Sequence, residues 1–257
     1  MSTADAKGPA SPSPSPSPAR TPAMWSRRDH GPLPWLLLAL TITTGLVDAF
    51  SILELGRVFV ANMTGNVVFV AFALAGAPGF SLGSSLSALA GFLVGAAAGG
   101  ALIHQVAGDR AKLVRAGALL EVVLVAGGLA LVAGSGAPFH ALPRDVIAAL
   151  LATAMGVQNA VARRLAVPDL TTTVLTMTLT GIAADLRAPN RRVALSRRAL
   201  AVGAMFAGAV AGAELVLHGD LTAVLAIAVG LLAAVSVCAV IAAQGPGLWR
   251  TASGGPG

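Results

Sequence analysis

Charged residues are scarce in this sequence. Asp, Glu, Lys and Arg make up 11% of its 257 residues, whereas a soluble domain carries roughly 25%. Hydrophobic residues make up 56%, and the mean hydropathy is +0.80. Because the apolar residues fall in long runs, the composition argues against a soluble domain and predicts an all-α polytopic membrane protein.

Aromatic and sulfur residues are scarce as well. There is no Tyr, and aromatic residues make up 4% of the chain. A transmembrane barrel shows short alternating strands with aromatic girdles, so this class does not fit. The single cysteine, Cys238, excludes an internal disulfide framework and a thiolate metal site. The four histidines have no metal-ligand spacing: His30, His104, His140 and His218.

No catalytic motif is present. The chain has no phosphate-binding loop, no G-x-S-x-G and no H-E-x-x-H, so we expect neither enzymatic activity nor a cofactor. The net charge of +6 would suggest nucleic-acid binding in a soluble protein. Here the Arg residues lie between apolar runs, which indicates topology signals facing anionic lipid. The expected partner is the lipid bilayer, not nucleic acid.

The two ends of the chain differ from its middle. Residues 1–34 include the repeat SPSPSPSP at Ser11–Pro18, which cannot build a core and is typical of a disordered cytoplasmic tail. A signal peptide is the alternative, with Arg27–Arg28 before an apolar stretch and a poor cleavage site near Ala49. Residues 244–257 are predicted to be a disordered Gly-rich tail.

Between these tails lies one membrane domain, residues 35–243, with eight apolar segments. A spanning helix needs about 20 apolar residues, and the second and sixth segments are short and polar at their starts. The segments are 35–53, 58–76, 82–105, 113–134, 145–163, 170–186, 198–217 and 220–243.

The distribution of positive charge distinguishes two topologies. If the second and sixth segments enter and leave on the same side, only Arg57 and Arg144 of the 17 Lys and Arg residues lie outside. The positive-inside rule favours this arrangement of six spans and two re-entrant segments, with both termini cytoplasmic. In the alternative with eight spans, the outside residues are Arg57, Arg110, Lys112, Arg115, Arg163 and Arg164.

The domain divides into two similar halves, 35–134 and 145–243. Gly45–Ala49 aligns with Gly156–Ala160, and Asn62–Gly65 aligns with Thr178–Gly181. Three spans per half would invert the second repeat relative to the first, which is a recurring transporter design. The alternative is a chance likeness of Ala- and Gly-rich helices. Small residues at a spacing of four, suited to close helix packing, are Gly91, Gly95 and Gly99, and Ala204, Gly208 and Gly212.

Polar residues inside apolar segments are the candidate site. Asp48 lies roughly 20 Å along the first helix from Trp35, where a carboxylate is costly. It could titrate and couple protons to a substrate, or bind a cation. Alternatively, it pairs with an Arg or caps a broken helix. Glu121 has no cation three or four residues away along its helix, and it is a second candidate for the group that couples an ion or proton to the substrate. The predicted substrate or ion pathway comprises Asp48, Asn62, Thr64, Gly65, Asn66, Glu121, Gln158, Asn159, Thr172, Thr176 and Thr180. The Asn and Thr side chains could equally only bond packed helices together.

Two ion pairs are expected at helix ends: Glu54 with Arg57, and Glu214 with His218.

The polar motifs resemble those of the YoaK family of bacterial integral membrane proteins, a domain-of-unknown-function family. The resemblance covers roughly residues 35–243. It implies a protein of the bacterial cytoplasmic (inner) membrane with one conserved domain, and it brings no established activity. The motifs that carry it are G-L-V-D-A-F-S at Gly45–Ser51, A-N-M-T-G-N at Ala61–Asn66, G-V-Q-N-A-V-A-R-R-L at Gly156–Leu165 and D-L-T-T-T-V-L-T at Asp169–Thr176.

The leading hypothesis is a small secondary transporter or permease-like protein for a small molecule or ion. A membrane scaffold is the rival, in which the glycine face of Gly91, Gly95 and Gly99 packs a partner or a second copy of the chain. A membrane enzyme is the third reading and would need a clustered acid, base or metal set.

Overall fold

The protein is all-helical, as the composition predicts. The computed structural model describes residues 25, 30–106, 108–167, 170, 175–184, 191–244 and 248–250. These residues form eight α-helices and a short 3-10 helix, with no strand among them. The helices are α1 (Leu33–Glu54), α2 (Met63–Leu74), α3 (Leu82–Gln105), α4 (Arg110–Ser135), α5 (Ala141–Leu165), α6 (Leu175–Ala184), α7 (Arg191–Leu217) and α8 (Leu221–Gln244), followed by the 3-10 helix Leu248–Arg250.

Six of the eight helices are long and apolar enough to cross a membrane: α1, α3, α4, α5, α7 and α8. The other two are the segments that the charge distribution singled out. With 12 residues, α2 is about 18 Å long, and α6 has 10 residues. Over the residues that the structure describes, both are too short for a hydrocarbon core of about 30 Å, so the prediction of six long helices and two short segments is confirmed.

The segment of chain that contains α2 starts and finishes at the same end of the bundle. Arg144 at the start of α5 donates a hydrogen bond to Ser81, which precedes α3, at 2.9 Å. Ser84 of α3 donates to Asp145 at 2.6 Å, and Gly56, just after α1, lies against Ser81. The end of α1 and the starts of α3 and α5 therefore meet at what we call the Arg144 end. Because α1 and α3 run in opposite directions, α2 does not cross the bundle.

The opposite end gathers the other helix termini. Arg110 at the start of α4 donates to the carbonyl of Leu165, the last residue of α5. Asp109 forms an ion pair at 2.5 Å with Arg250, which follows α8. We call this the Asp109 end. Since the start of α4 lies beside the end of α8, these two helices are antiparallel, as six spans require and eight spans do not allow.

Asp109 also caps α4. Its side chain accepts hydrogen bonds from the backbone N–H groups of Ala111 and Lys112 at 3.0 and 3.1 Å. Burial alone would raise the pKa of Asp109, but Arg250 and these N–H groups lower it below its ordinary value. The stabilisation from this contact is therefore present above the ordinary pKa and is lost as the pH falls through the lowered one.

Two parallel helix pairs show the closest packing. On α3, Gly91 faces the carbonyl of Ala149 and Gly95 faces that of Thr153 on α5. On α7, Gly208 faces the carbonyl of Ile42 on α1. The alignment of Gly45 with Gly156 makes Ile42 and Thr153 equivalent, so both contacts use the same surface. The further contacts of this kind are Gly99 with Val157 and Ala160, and Gly212 with Leu46 and Ala49.

Helices α1 and α5 are the centre of the bundle. In their most hydrophobic windows, 72% of the α1 residues and 61% of the α5 residues are buried, against 22–39% in the other four long helices. The outer helices expose large apolar side chains such as Leu93, Val123, Phe206 and Ile241. In a membrane these side chains face lipid.

The expected pair of Glu214 and His218 is confirmed, with 3.7 Å between His218 Nδ1 and Glu214 Oε2. Most of the predicted tails lies outside the described residues. Within the C-terminal tail, Trp249 is buried against Gly31.

Gly208→Ala should destabilise the protein, because a Cβ there would overlap the Ile42 carbonyl oxygen. Forced overpacking costs about 1–3 kcal/mol, so we expect the thermal midpoint in detergent to fall by roughly 2–12 °C. Gly203→Ala on the same helix is the control, since a Cβ there meets nothing within 4 Å. Equal midpoints for the two variants would contradict this packing.

Candidate functional site at the break between α1 and α2

Asp48 holds the chain where it breaks between two helices. Its side chain is 6% exposed, and Oδ1 accepts hydrogen bonds from the backbone N–H groups of Val60 and Ala61, both at 3.0 Å. These N–H groups precede α2 and have no helical partner of their own. The carboxylate therefore takes the place that water would fill in a soluble protein. Among the alternatives left open by the sequence, this geometry corresponds to capping a broken helix.

Asn66 fixes the same loop from the other side. Its Oδ1 accepts from the Phe59 N–H at 2.9 Å, and its Nδ2 donates to the Phe59 carbonyl at 2.6 Å. The side chain is fully buried, and Nδ2 also lies 3.6 Å from the sulfur of Met63. Asn66 thus provides a hydrogen-bond partner for both the N–H and the carbonyl of Phe59.

These bonds place the start of α2 inside the membrane. Asp48 lies six residues before the end of α1, which is about 9 Å at 1.5 Å per residue. The chain turns after Glu54 through Gly56 and Arg57, both with positive φ, and descends to the level of Asp48. The N-terminus of α2, the positive end of its dipole, therefore points towards the bundle interior.

The other polar residues of this motif face outward. Asn62 is the N-cap of α2 but makes no side-chain capping bond, and both Asn62 and Thr64 are exposed. A side chain at Gly65 would collide with the Phe59 ring. Asn62 and Asn66 are four residues apart, yet Asn66 points into the protein and Asn62 points out of it.

A second polar contact joins the two central helices. Gln158 of α5 is fully buried, and its Nε2 donates to Thr44 Oγ1 of α1 at 2.6 Å. Its Oε1 is buried without a hydrogen-bond partner. Thr44 also donates to the Leu40 carbonyl of its own helix at 3.0 Å. A buried amide oxygen without a donor is costly. A ligand or another group that donates a hydrogen bond to Gln158 Oε1 would therefore be stabilised there.

Glu121 lies buried in α4, 1% exposed, and its Oε2 has no hydrogen-bond partner. Gly117 of α4 faces Val161, and Gly128 faces Leu151. This antiparallel register places Glu121 opposite the level of Gln158 on α5. Two buried oxygens without partners therefore lie at about the same depth in the interior.

The remaining candidates are not gathered with these residues. Asn159 donates to the Met155 carbonyl of its own helix at 3.1 Å. Thr176 and Thr180 on α6 are exposed, and Thr172 lies outside the described residues. The sequence reasoning missed Thr44. The cluster of Thr41, Thr43 and Thr44 in an apolar helix was the signal that could have found it.

The match with known proteins extends over most of this bundle. Residues 36–238 match the family described as "Protein of unknown function (DUF1275)". The chain belongs to this family. It is also 30% identical over 152 residues to the UPF0700 transmembrane protein YoaK of Bacillus subtilis (strain 168), a match that covers 59% of this chain and 66% of that protein.

The resemblance to the YoaK family is thereby confirmed. The matched part of the Bacillus subtilis protein falls just short of two thirds of its length. No solved structure matches the chain. The six long apolar helices, together with this similarity to a transmembrane protein, support a multi-pass membrane protein.

Asn66→Ala should destabilise the protein, because the buried N–H and carbonyl of Phe59 would lose their partners. Each unsatisfied group costs about 1–3 kcal/mol, and the thermal midpoint should fall by roughly 5 °C or more. Thr64→Ala on the exposed face is the matched control and should change the midpoint little. If both variants have the same thermal midpoint as the wild type, Asn66 does not hold the loop.

Proposed function

We propose that the protein is a small secondary transporter or permease-like protein of the bacterial cytoplasmic membrane, with a polar site between two inverted repeats. The observation that carries the proposal is the buried Asp48 carboxylate bonded to the backbone at the break before α2. Broken helices whose N-termini point into the membrane form the substrate sites of many transporters.

The packing supports two repeats. Helix α3 packs on α5 as α7 packs on α1, through glycines at equivalent positions. Helix α2 returns at the Arg144 end. Helix α6 returns at the Asp109 end, because α5 ends there and α7, parallel to α1, begins there. Short helices that enter from opposite ends are what inverted repeats require.

Protonation of Asp48 provides the coupling step. The ionised carboxylate is a strong acceptor for the N–H groups of Val60 and Ala61. A proton on the carboxyl group weakens both bonds and frees the start of α2. Glu121 is a second proton site, and Thr44 and Gln158 supply polar contacts on the path between the central helices.

Transport by the Asp48→Asn variant tests the proposal. The amide keeps an acceptor oxygen but carries no charge, so the variant mimics the protonated carboxyl group, with permanently weakened bonds to Val60 and Ala61. In proteoliposomes with an imposed pH gradient and a panel of amino acids, organic acids and sugars, the wild type should accumulate a solute, and the variant should exchange it without accumulating it. Asp220→Asn, at an exposed carboxylate, is the control. Full accumulation by Asp48→Asn would overturn the coupling role.

A scaffold without transport is the second candidate, and the glycine contacts and interhelical bonds favour it. Under that function, Asp48→Asn and Gln158→Leu would lower thermal stability, and no solute in the same panel would raise the stability of the wild type. The proposed transporter has no catalytic residue and no cofactor.

The orientation in the membrane has a separate test. In a Cys238→Ala background, single cysteines replace Ala77 at the Arg144 end and Arg164 and Arg192 at the Asp109 end. A membrane-impermeant thiol reagent applied to intact cells should label the first and not the other two, because positive charge collects at the Asp109 end. The reverse pattern would place both termini outside.

A further inference from the structure

A cleft of about 800 Å³ opens at the Arg144 end. It lies between the end of α1, the side of α2 and the chain that leads into α3 and α5. Neither the coupling step nor the polar contacts described above use it. Its walls include Glu54, Arg57, Phe59, Phe80, Phe139 and Arg144.

The cleft has an aromatic wall in a chain that is poor in aromatic residues. Phe59 and Phe69 stack with ring centroids 5.6 Å apart, and Phe69 and Phe80 are 5.1 Å apart. Phe72 lies 5.2 Å from Phe80. With Phe139, which also lines the cleft, five of the eight phenylalanines are gathered at this end. Such a wall binds a flat or apolar body.

Arg57 supplies a free positive charge in the same cleft. The expected ion pair with Glu54 is wrong: no such pair forms within the described residues, because the left-handed turn at Gly56 and Arg57 directs the side chain towards Gly79 and Phe80. The guanidinium lies 5.6 Å from the Phe80 ring centre and is exposed. Its hydrogen-bond donors remain available for an acceptor.

Arg144 and Glu54 are the other two charged residues that line the cleft. Arg144 is held by Ser81 at 2.9 Å and lies 3.4 Å from Asp145, which neutralises part of its charge. Glu54 contributes one negative charge to the wall. A single anionic group is therefore better matched than a dianion, and Arg57 is its main partner.

We propose that this cleft binds an amphipathic monoanion. Arg57, assisted by Arg144, holds a carboxylate, sulfonate or phosphodiester, and the phenylalanine wall holds the apolar body. The bidentate fork of Arg suits these planar or tetrahedral oxyanions. The same chemistry is found in a soluble aromatic acid and in an anionic phospholipid of the adjacent leaflet. The site does not depend on transport activity.

Binding of 2-naphthoate to the full chain in phosphatidylcholine nanodiscs tests the site. Calorimetric titration, corrected with empty nanodiscs, should give saturable binding, and neutral 2-naphthamide should bind at least about tenfold more weakly. Arg57→Gln should weaken 2-naphthoate binding by a similar factor, equivalent to about 1.4 kcal/mol. Arg164→Gln at the other end should leave binding unchanged. Equal binding of the acid and the amide, or no effect of Arg57→Gln, would overturn the proposal.

Three further measurements sharpen the result. Phe80→Leu should also weaken binding without removing a charge, and an unchanged thermal midpoint for Arg57→Gln will separate lost binding from unfolding.

Adding phosphatidylglycerol to the nanodiscs then identifies the source of the anion. Competition with 2-naphthoate that Arg57→Gln abolishes assigns the site to lipid, whereas binding without competition assigns it to a soluble acid.

Discussion

A helix that begins inside a membrane must have partners for the backbone N–H groups ahead of it, because no water is available there. Asp48 and Asn66 meet this constraint for Phe59, Val60 and Ala61. Without them the chain after α1 would have to remain at the membrane surface. The position of α2, its direction and the cleft beside it all depend on these four hydrogen bonds.

The glycine contacts act in a different way. They contribute no hydrogen-bonding side chain, but they let α7 approach α1 and α3 approach α5 until backbone meets backbone, as at Gly208 and Gly95. In lipid, helices associate through such close van der Waals contact rather than through the hydrophobic effect. The two central helices are thus held rigidly by their parallel neighbours, while Thr44 and Gln158 connect them to each other through one short hydrogen bond.

The sequence was sufficient for the class, the six long helices and the two short ones, because apolar length and positive charge are properties of the chain itself. It also singled out Asp48 and Asn66 as polar residues in apolar segments, and both are buried and hydrogen-bonded to the loop before α2; their place in a substrate or ion pathway stays a prediction. It could not reveal that Asn62 faces outward while Asn66 faces inward, because α2 starts only at Met63 and the loop before it is irregular. It also mispaired Arg57, because helical spacing does not apply beyond a left-handed turn.

The break and the cleft share one segment of chain, which links their behaviour. The ring of Phe59 forms part of the cleft wall, while its backbone is bonded by Asn66 and the next two residues are bonded by Asp48. If the cleft binds a ligand as proposed, stacking on Phe59 should favour the loop position in which Asp48 is bonded. By reciprocity, protonation of Asp48 should then weaken ligand binding by the same factor by which the ligand weakens proton binding at Asp48. The proposed coupling acts through the backbone of Phe59, Val60 and Ala61.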